Sequence, residues 1–358
     1  MKRIAHMLIA AVTAFVAADA QPKAEFTETI HDFGAFDEND GNVTCKFRFV
    51  NTGDEPLSVI SARATCGCTT PAYTRTAVEP GDTGTVTVTY NPTGRPGRFS
   101  KKVYIDFNTD PPRETLMIKG VVIGASNTLR GRYPVDAGRM KLRNSMVLFG
   151  DVKKGRAKTS FLEVYNASPD TITPQWTGVP GYLRITSPVE SIPPGEQTSY
   201  SFYLTTDRTD TYGIITDSVM LSPTAGAEDS FKVDIVAIVE EDFSTMTPGQ
   251  RAAAPVIKTD NTSLDFDRLT RNNGPVTRTF TVRNDGKSDL MLRRVYTTDP
   301  GVTVTADRDK VKKGKTATIT VTVDPAAIPS EILNARISII ANDPENPTTI
   351  VRAVGQID

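Results

Sequence analysis

Hydrophobic residues recur at every second position over short runs, and no long run carries the i, i+3, i+4, i+7 spacing of an amphipathic helix. The runs are rich in Val, Thr, Ile, Phe and Tyr, and clusters of Gly, Pro, Asn and Asp separate them, as expected for strands joined by turns. In "NVTCKFRFV", Val43, Cys45, Phe47 and Phe49 fall on one face while Thr44, Lys46 and Arg48 fall on the other, because successive strand side chains point oppositely. The pattern predicts an all-β chain.

The pattern also repeats. "CKFRFVNTGDEPLSVISA" from 45, "SFLEVYNASPDTITPQW" from 160 and "RTFTVRNDGKSDLMLRRV" from 278 each run as strand, Asn-led polar turn, strand, with Asn51, Asn166 and Asn284 in the same place. Asn suits such a place because its side chain bonds to nearby backbone groups. A Gly turn and a Thr-rich strand follow in each copy: Gly81 lies 30 residues after Asn51, Gly195 lies 29 after Asn166, and Gly314 lies 30 after Asn284. Each copy closes on two more strands, and the Asn-Thr-Asp-Pro from Asn108 and the Asn-Asp-Pro from Asn342 mark one hairpin in two copies. Units of about 100 residues with roughly seven short strands predict tandem immunoglobulin-like β-sandwich domains. The expected boundaries are 24–125, 128–240 and 257–358, with a linker at 241–256 and a Gly-rich polar joint through "GASNTLRGRYPVDAG".

Residues 1–20 read as a signal peptide. Lys2 and Arg3 precede an apolar stretch that is short for a spanning helix, and Ala18-Asp19-Ala20 supplies the small-x-small cleavage pattern. The expectation is a periplasmic or secreted protein with no transmembrane segment after cleavage. Cleavage would remove His6 and leave His31 as the sole histidine, so paired-histidine metal sites and acid/base pairs cannot be built.

A formal net charge of −1 provides no basic field for nucleic acid. Neither a G-x-S-x-G elbow nor a nucleotide-binding glycine loop occurs, so no enzymatic activity is expected. "DENDGN" at 37–42 lacks the acidic last ligand of a calcium loop and reads as a solvated turn. Trp176 near Tyr182 reads as core rather than as a sugar platform, and "GRPGRFSKK" at 94–102 as a soluble loop guarding an edge strand.

"HDFGAF" at 31–36, "FRFVNTGDEPLSVISARATCGCTTP" at 47–71 and "VEPGDTGTVTVTYNPTGRPG" at 78–97 resemble the bacterial DUF1573 family, one of the ASPM/SPD-2/Hydin-like groups of Ig-like domains. The likeness is strong in the first copy; in the other two only the turn-and-strand skeleton is shared. The resemblance implies an exported protein doing binding or structural work. Members often carry a histidine where this chain has Cys45, which turns a histidine-plus-two-cysteine set into three thiols.

Those thiols are the candidate chemistry. Alternation aims Cys45 at the core and, if the strand runs far enough, places Ile60, Ala62, Ala64, Cys66 and Cys68 on one face, with Gly67 allowing a bend. Three arrangements are open: reduced, half-buried thiols; a disulfide in any pairing; or a Zn or Cu site built from Cys66, Cys68 and Cys45 with His31 as a fourth ligand. A simple hairpin puts Cys45 and Cys66 far out of register, and a Cys66–Cys68 bridge closes a very small ring. The expected function is a non-enzymatic adhesion, scaffold or envelope-assembly module contacting proteins or glycans, with no cofactor; the alternative is a thiol-based metal-binding or redox protein.

Overall fold

A computed structural model describes residues 21–209 and 211–358; the expected signal peptide lies outside the described residues. The first sandwich contains eight strands: β1 (Ala24–Phe26), β2 (Ile30–Asp37), β3 (Val43–Asn51), β4 (Val59–Ala64), β5 (Thr69–Tyr73), β6 (Thr83–Tyr90), β7 (Gly97–Phe107) and β8 (Arg113–Ile123). They form two sheets, ordered β1-β3-β6-β5 and β2-β8-β7-β4. The β2–β8 pair is parallel and the others are antiparallel.

The period-two pattern decides what lies between the sheets. Cys45, Phe47 and Phe49 of β3 and Val86, Val88 and Tyr90 of β6 meet Val103, Ile105 and Phe107 of β7 and Leu116, Ile118 and Val122 of β8 in one core. Each large apolar side chain fully buried there stabilises the fold by roughly 1.5–3 kcal/mol. Gly84 is opposite Phe49 across the β3–β6 pair, and a Cβ on it would lie 2.1 Å from the Phe49 ring. A glycine at the second position of β6 therefore makes room for the Phe49 ring.

The third sandwich repeats this order strand for strand. Ile257–Thr259, Val276–Asn284, Thr316–Val323 and Val302–Ala306 form one sheet; Ser263–Leu269, Thr348–Ile357, Ile332–Ala341 and Leu290–Tyr296 form the other, with Lys310–Val311 added at its end. The second sandwich has the same plan, with Met146–Lys153 running parallel to Phe231–Glu240 as β2 does to β8. In all three the parallel pair is broken by a register shift, after Asp32, Leu148 and Asp265. Each sandwich has its own hydrophobic core. Trp176 packs edge-on against Tyr200 and Phe202 at the core of the second.

The repeated Asn is the pin of each copy. Asn51, Asn166 and Asn284 are all 0% exposed. Asn51 Nδ2 donates to the carbonyls of Glu55 (2.8 Å) and Val78 (2.9 Å), and its Oδ1 accepts from Gly53 N (3.0 Å) and Lys23 N (3.4 Å). Asn284 repeats all four lengths with Ser288, Val311, Gly286 and Val256. Asn166 Nδ2 reaches the Ile192 carbonyl at 2.8 Å. One side chain thus ties the turn, the first strand and the Gly turn about 30 residues on. Gly81, Gly195 and Gly314 in those Gly turns all have positive φ, between 66° and 84°, which explains the residue type. The hairpin Asn residues also match: Asn108 bonds Ser58 N and the Pro56 carbonyl, and Asn342 bonds Met291 N and the Asp289 carbonyl.

The chain divides into two compact units, one built on the first sandwich and one holding the second and third. Inside the latter, Arg294 donates to the carbonyls of Tyr212 (3.0 Å) and Ile214 (2.9 Å), and Ile214 N donates to Tyr296 Oη (3.0 Å). Arg293 grips Glu241 through two nitrogens, at 2.7 and 2.8 Å. The stretch expected to be a plain linker contains a helical turn, Pro248–Ala252, closed by a Thr247/Gln250 capping box and held by Arg251 to the Phe243 carbonyl. Polar composition at 241–256 conceals these tertiary bonds.

Two further expectations change. The solvated turn at 37–42 turns Glu38 inward, where Gly94 N, Ala125 N and the Thr128 hydroxyl all donate to it. Burial works against its charge, but the three donors outweigh burial and hold its carboxyl below the usual range. "GRPGRFSKK" leads into β7, which lies inside its sheet between β8 and β4 and guards no edge.

Candidate functional site

Where β4 ends, the chain leaves one sheet and crosses to the other. β4 and β5 are the edge strands of opposing sheets, and Thr65–Cys68 make the crossing. Thr65 N still reaches the Lys102 carbonyl at 3.1 Å, then Thr69 N bonds the Cys66 carbonyl (3.3 Å) and Asn91 N the Cys68 carbonyl (2.9 Å). The strand stops at Ala64, two residues short of the cysteines, and a bulge between Val59 and Ser61 leaves Ile60 63% exposed. Local alternation placed Ile60 and both thiols on the core face; the bulge turns Ile60 out, while past the corner Cys68 is still buried in the core and Cys66 packs against it.

Cys66 and Cys68 are joined as a disulfide, with Cα atoms 5.3 Å apart. Cys66 is partly exposed and Cys68 is buried at 7%. The Thr69 hydroxyl, itself buried, lies 3.5 Å from Cys66 Sγ and 3.8 Å from Cys68 Sγ. Gly67 lacks a positive φ, and a Cβ on it would meet nothing within 4 Å. The backbone does not require glycine there, and Gly67 is exposed. A loop this short removes little freedom from the unfolded chain, about 1.6 kcal/mol against about 3 for fifteen residues.

The other candidates lie elsewhere. Cys45 is a free thiol on β3, with β6 between it and β5, so the cysteines are not hairpin neighbours and the register argument does not apply. Burial pushes its pKa up to about 11, with the negative charge of Glu28 adding to the effect. His31 lies on β2, with Nδ1 3.6 Å from Glu28 Oε1 and its ring edge-on to Phe33 and Phe47. The set of Cys66, Cys68, Cys45 and His31 does not assemble as a Zn or Cu site: two of its thiols are spent on each other. Among the described residues, no group of three or more His, Cys, Asp or Glu side chains is placed to hold a metal ion.

The other sandwiches make the same crossing without sulfur. In the third, the corner between Leu290–Tyr296 and Val302–Ala306 is closed by Asp299, whose carboxylate accepts from Arg336 N (2.7 Å) and the Thr297 hydroxyl (3.2 Å). In the second it runs from Gln175–Thr177 to Leu183–Thr186, with Leu183 N on the Pro180 carbonyl. Sequence reading missed Thr69, whose only signal is adjacency to Cys68.

Tandem β-sandwiches of immunoglobulin type, one with a disulfide at its sheet crossing, are what fold and site define. The chain belongs to the DUF1573 family, described as proteins of unknown function: the family model matches residues 24–122 and 257–355, together more than half of the chain. The second match widens the resemblance, strong in the first copy, to the third, and since that copy has no cysteine pair, the family pattern does not require one. A protein of unknown function from Porphyromonas gingivalis W83 shares the fold at 22% identity and TM-score 0.50, over 61% of this chain and 100% of that one. Looser likenesses, too distant to bear on function, are to PcdhgB3 EC1-4 (9% identity, TM-score 0.32, 95% of this chain and 76% of that one) and mouse cadherin-23 EC22-24 (12%, 0.28, 95% and 99%). No curated protein matches the chain.

Proposed function

We propose that the chain is an exported, non-enzymatic binding and structural module, periplasmic or secreted, that engages an envelope protein through a sandwich edge. The observation that carries this reading is the edge strand Met146–Lys153 of the second sandwich. It exposes Met146 and Leu148 (60% exposed), and the exposed Phe161 follows Ser160, whose hydroxyl bonds the Leu148 carbonyl. Apolar side chains gathered along a sheet edge suit contact with an apolar segment of a partner, while Ser160 and Lys158 cap the Leu148 and Asp151 carbonyls of that edge. The Arg293 and Arg294 bonds hold the second and third sandwiches together, so that the edge is presented on a stiff support. Among the described residues, no helix is long and apolar enough to cross a membrane.

Fractionation of cells making the tagged protein, with a photo-crosslinking residue at Leu148 or at the exposed control Lys287, tests both parts. The expected result is an envelope-fraction protein with a discrete adduct from position 148 alone. Recovery from the cytosol, or equal adducts from both positions, would refute the reading.

A further inference from the structure

We propose that the Cys66–Cys68 bridge is a thiol–disulfide exchange site, accepting two electrons from a protein dithiol with Cys66 as the sulfur attacked. This goes beyond the binding role and does not depend on it. The bridge spans a sequence separation of two and links no distant parts of the chain. The second and third sandwiches cross the same corner without cysteine, so the fold does not need sulfur there. What the bridge does possess is access: Cys66 is part-exposed and Gly67 beside it is exposed, whereas Cys68 is buried. Exposed bridges are the ones that exchange.

The chemistry follows from the asymmetry. A thiolate of the partner attacks Cys66 Sγ, forming a mixed disulfide; the Cys66–Cys68 bond breaks and its electron pair goes to Cys68 Sγ. Thr69 Oγ1 is placed to donate a hydrogen bond to that buried thiolate, which then takes a proton from solvent. The partner's second thiolate attacks its own bridged sulfur, expelling Cys66 as a thiolate that is protonated in turn. The protein ends as a dithiol and the partner as a disulfide. Cys45 takes no part, being a buried thiol on a strand two positions across the sheet.

The test uses the full chain at pH 7.5, equilibrated with graded ratios of reduced to oxidised dithiothreitol, quenched in acid, alkylated in denaturant at restored pH and weighed intact. The expected result is one alkyl group, on Cys45, in the oxidised chain and three in the reduced chain, with an unchanged far-UV circular dichroism spectrum before the quench. A thioredoxin whose resolving cysteine is replaced by serine should be trapped on Cys66. Thr69→Val should slow reduction at least about fivefold, while Thr69→Ser, which keeps the hydroxyl, restores it. A bridge that resists reduction until the chain unfolds would overturn the proposal, as would trapping on Cys68. Should Thr69→Val not fold, the mapped thioredoxin adduct decides the matter alone.

Discussion

Replacing Asn51 by Ala removes a side chain with no exposed surface and three short hydrogen bonds, to the Glu55 and Val78 carbonyls and from Gly53 N, plus a longer one from Lys23 N. At a net value near 1 kcal/mol for each short bond, and with the orphaned groups still buried, the loss comes to about 3–4 kcal/mol. For a sandwich of about 100 residues that is a drop of roughly 12–30 °C in the midpoint of its transition. The same substitution at Asn284 breaks bonds of the same four lengths, so its cost to the third sandwich should agree within about 0.5 kcal/mol. Asn51→Asp should cost more at neutral pH, because a carboxylate would face two carbonyls. Burial and those carbonyls raise its folded pKa above the unfolded value, so the penalty applies at high pH and eases as pH falls through the raised pKa. Scanning calorimetry of the full chain, with urea titration followed by near-UV circular dichroism, measures all three variants. A cost below about 1 kcal/mol for Asn51→Ala, or unequal costs at Asn51 and Asn284, would refute the view that this side chain pins the copy.

Arg294→Ala should cost about 1–2 kcal/mol by freeing the Tyr212 and Ile214 carbonyls, and should raise the rate of tryptic cleavage within 241–256 severalfold. Gly84→Val should destabilise the first sandwich by 2 kcal/mol or more, to about 3, by driving a side chain into the Phe49 ring, as urea unfolding would show; a neutral result would mean that ring is free to move. Cys45 ionises near pH 11 when folded but near 9.0 as a free thiol, so its contribution to stability is complete below pH 9.0 and fades between 9.0 and about 11. Cys45→Ala should abolish that part of the alkaline loss measured by urea titration at stepped pH.

Much of the architecture is legible in the sequence because it is encoded by neighbours. Alternation in "NVTCKFRFV" places Cys45, Phe47 and Phe49 inward, and they are buried. The near-equal Asn-to-Gly spacing marks three copies, and in the first and third the Gly amide does bond the Asn backbone carbonyl at 2.8 Å. The candidate site was legible only as a pair of cysteines. Alternation put both on the core side, where Cys68 is buried and Cys66 packs against the core although the strand ends at Ala64, but it left their pairing open, because β3 and β4 belong to opposing sheets and no local rule relates them.

The sequence by itself determined that the chain is all-β, repeats one sandwich plan three times and sets one Asn at the same turn in each copy, since strand period, turn chemistry and spacing are local properties. Only the tertiary structure decided that Cys66 bonds Cys68 while Cys45 stays apart, that Glu38 turns inward to three donors, and that Arg294 ties the third sandwich to the second. Each of these depends on which strands meet across a sheet or a joint. That choice is made by burial over the whole chain, which no run of neighbouring residues records.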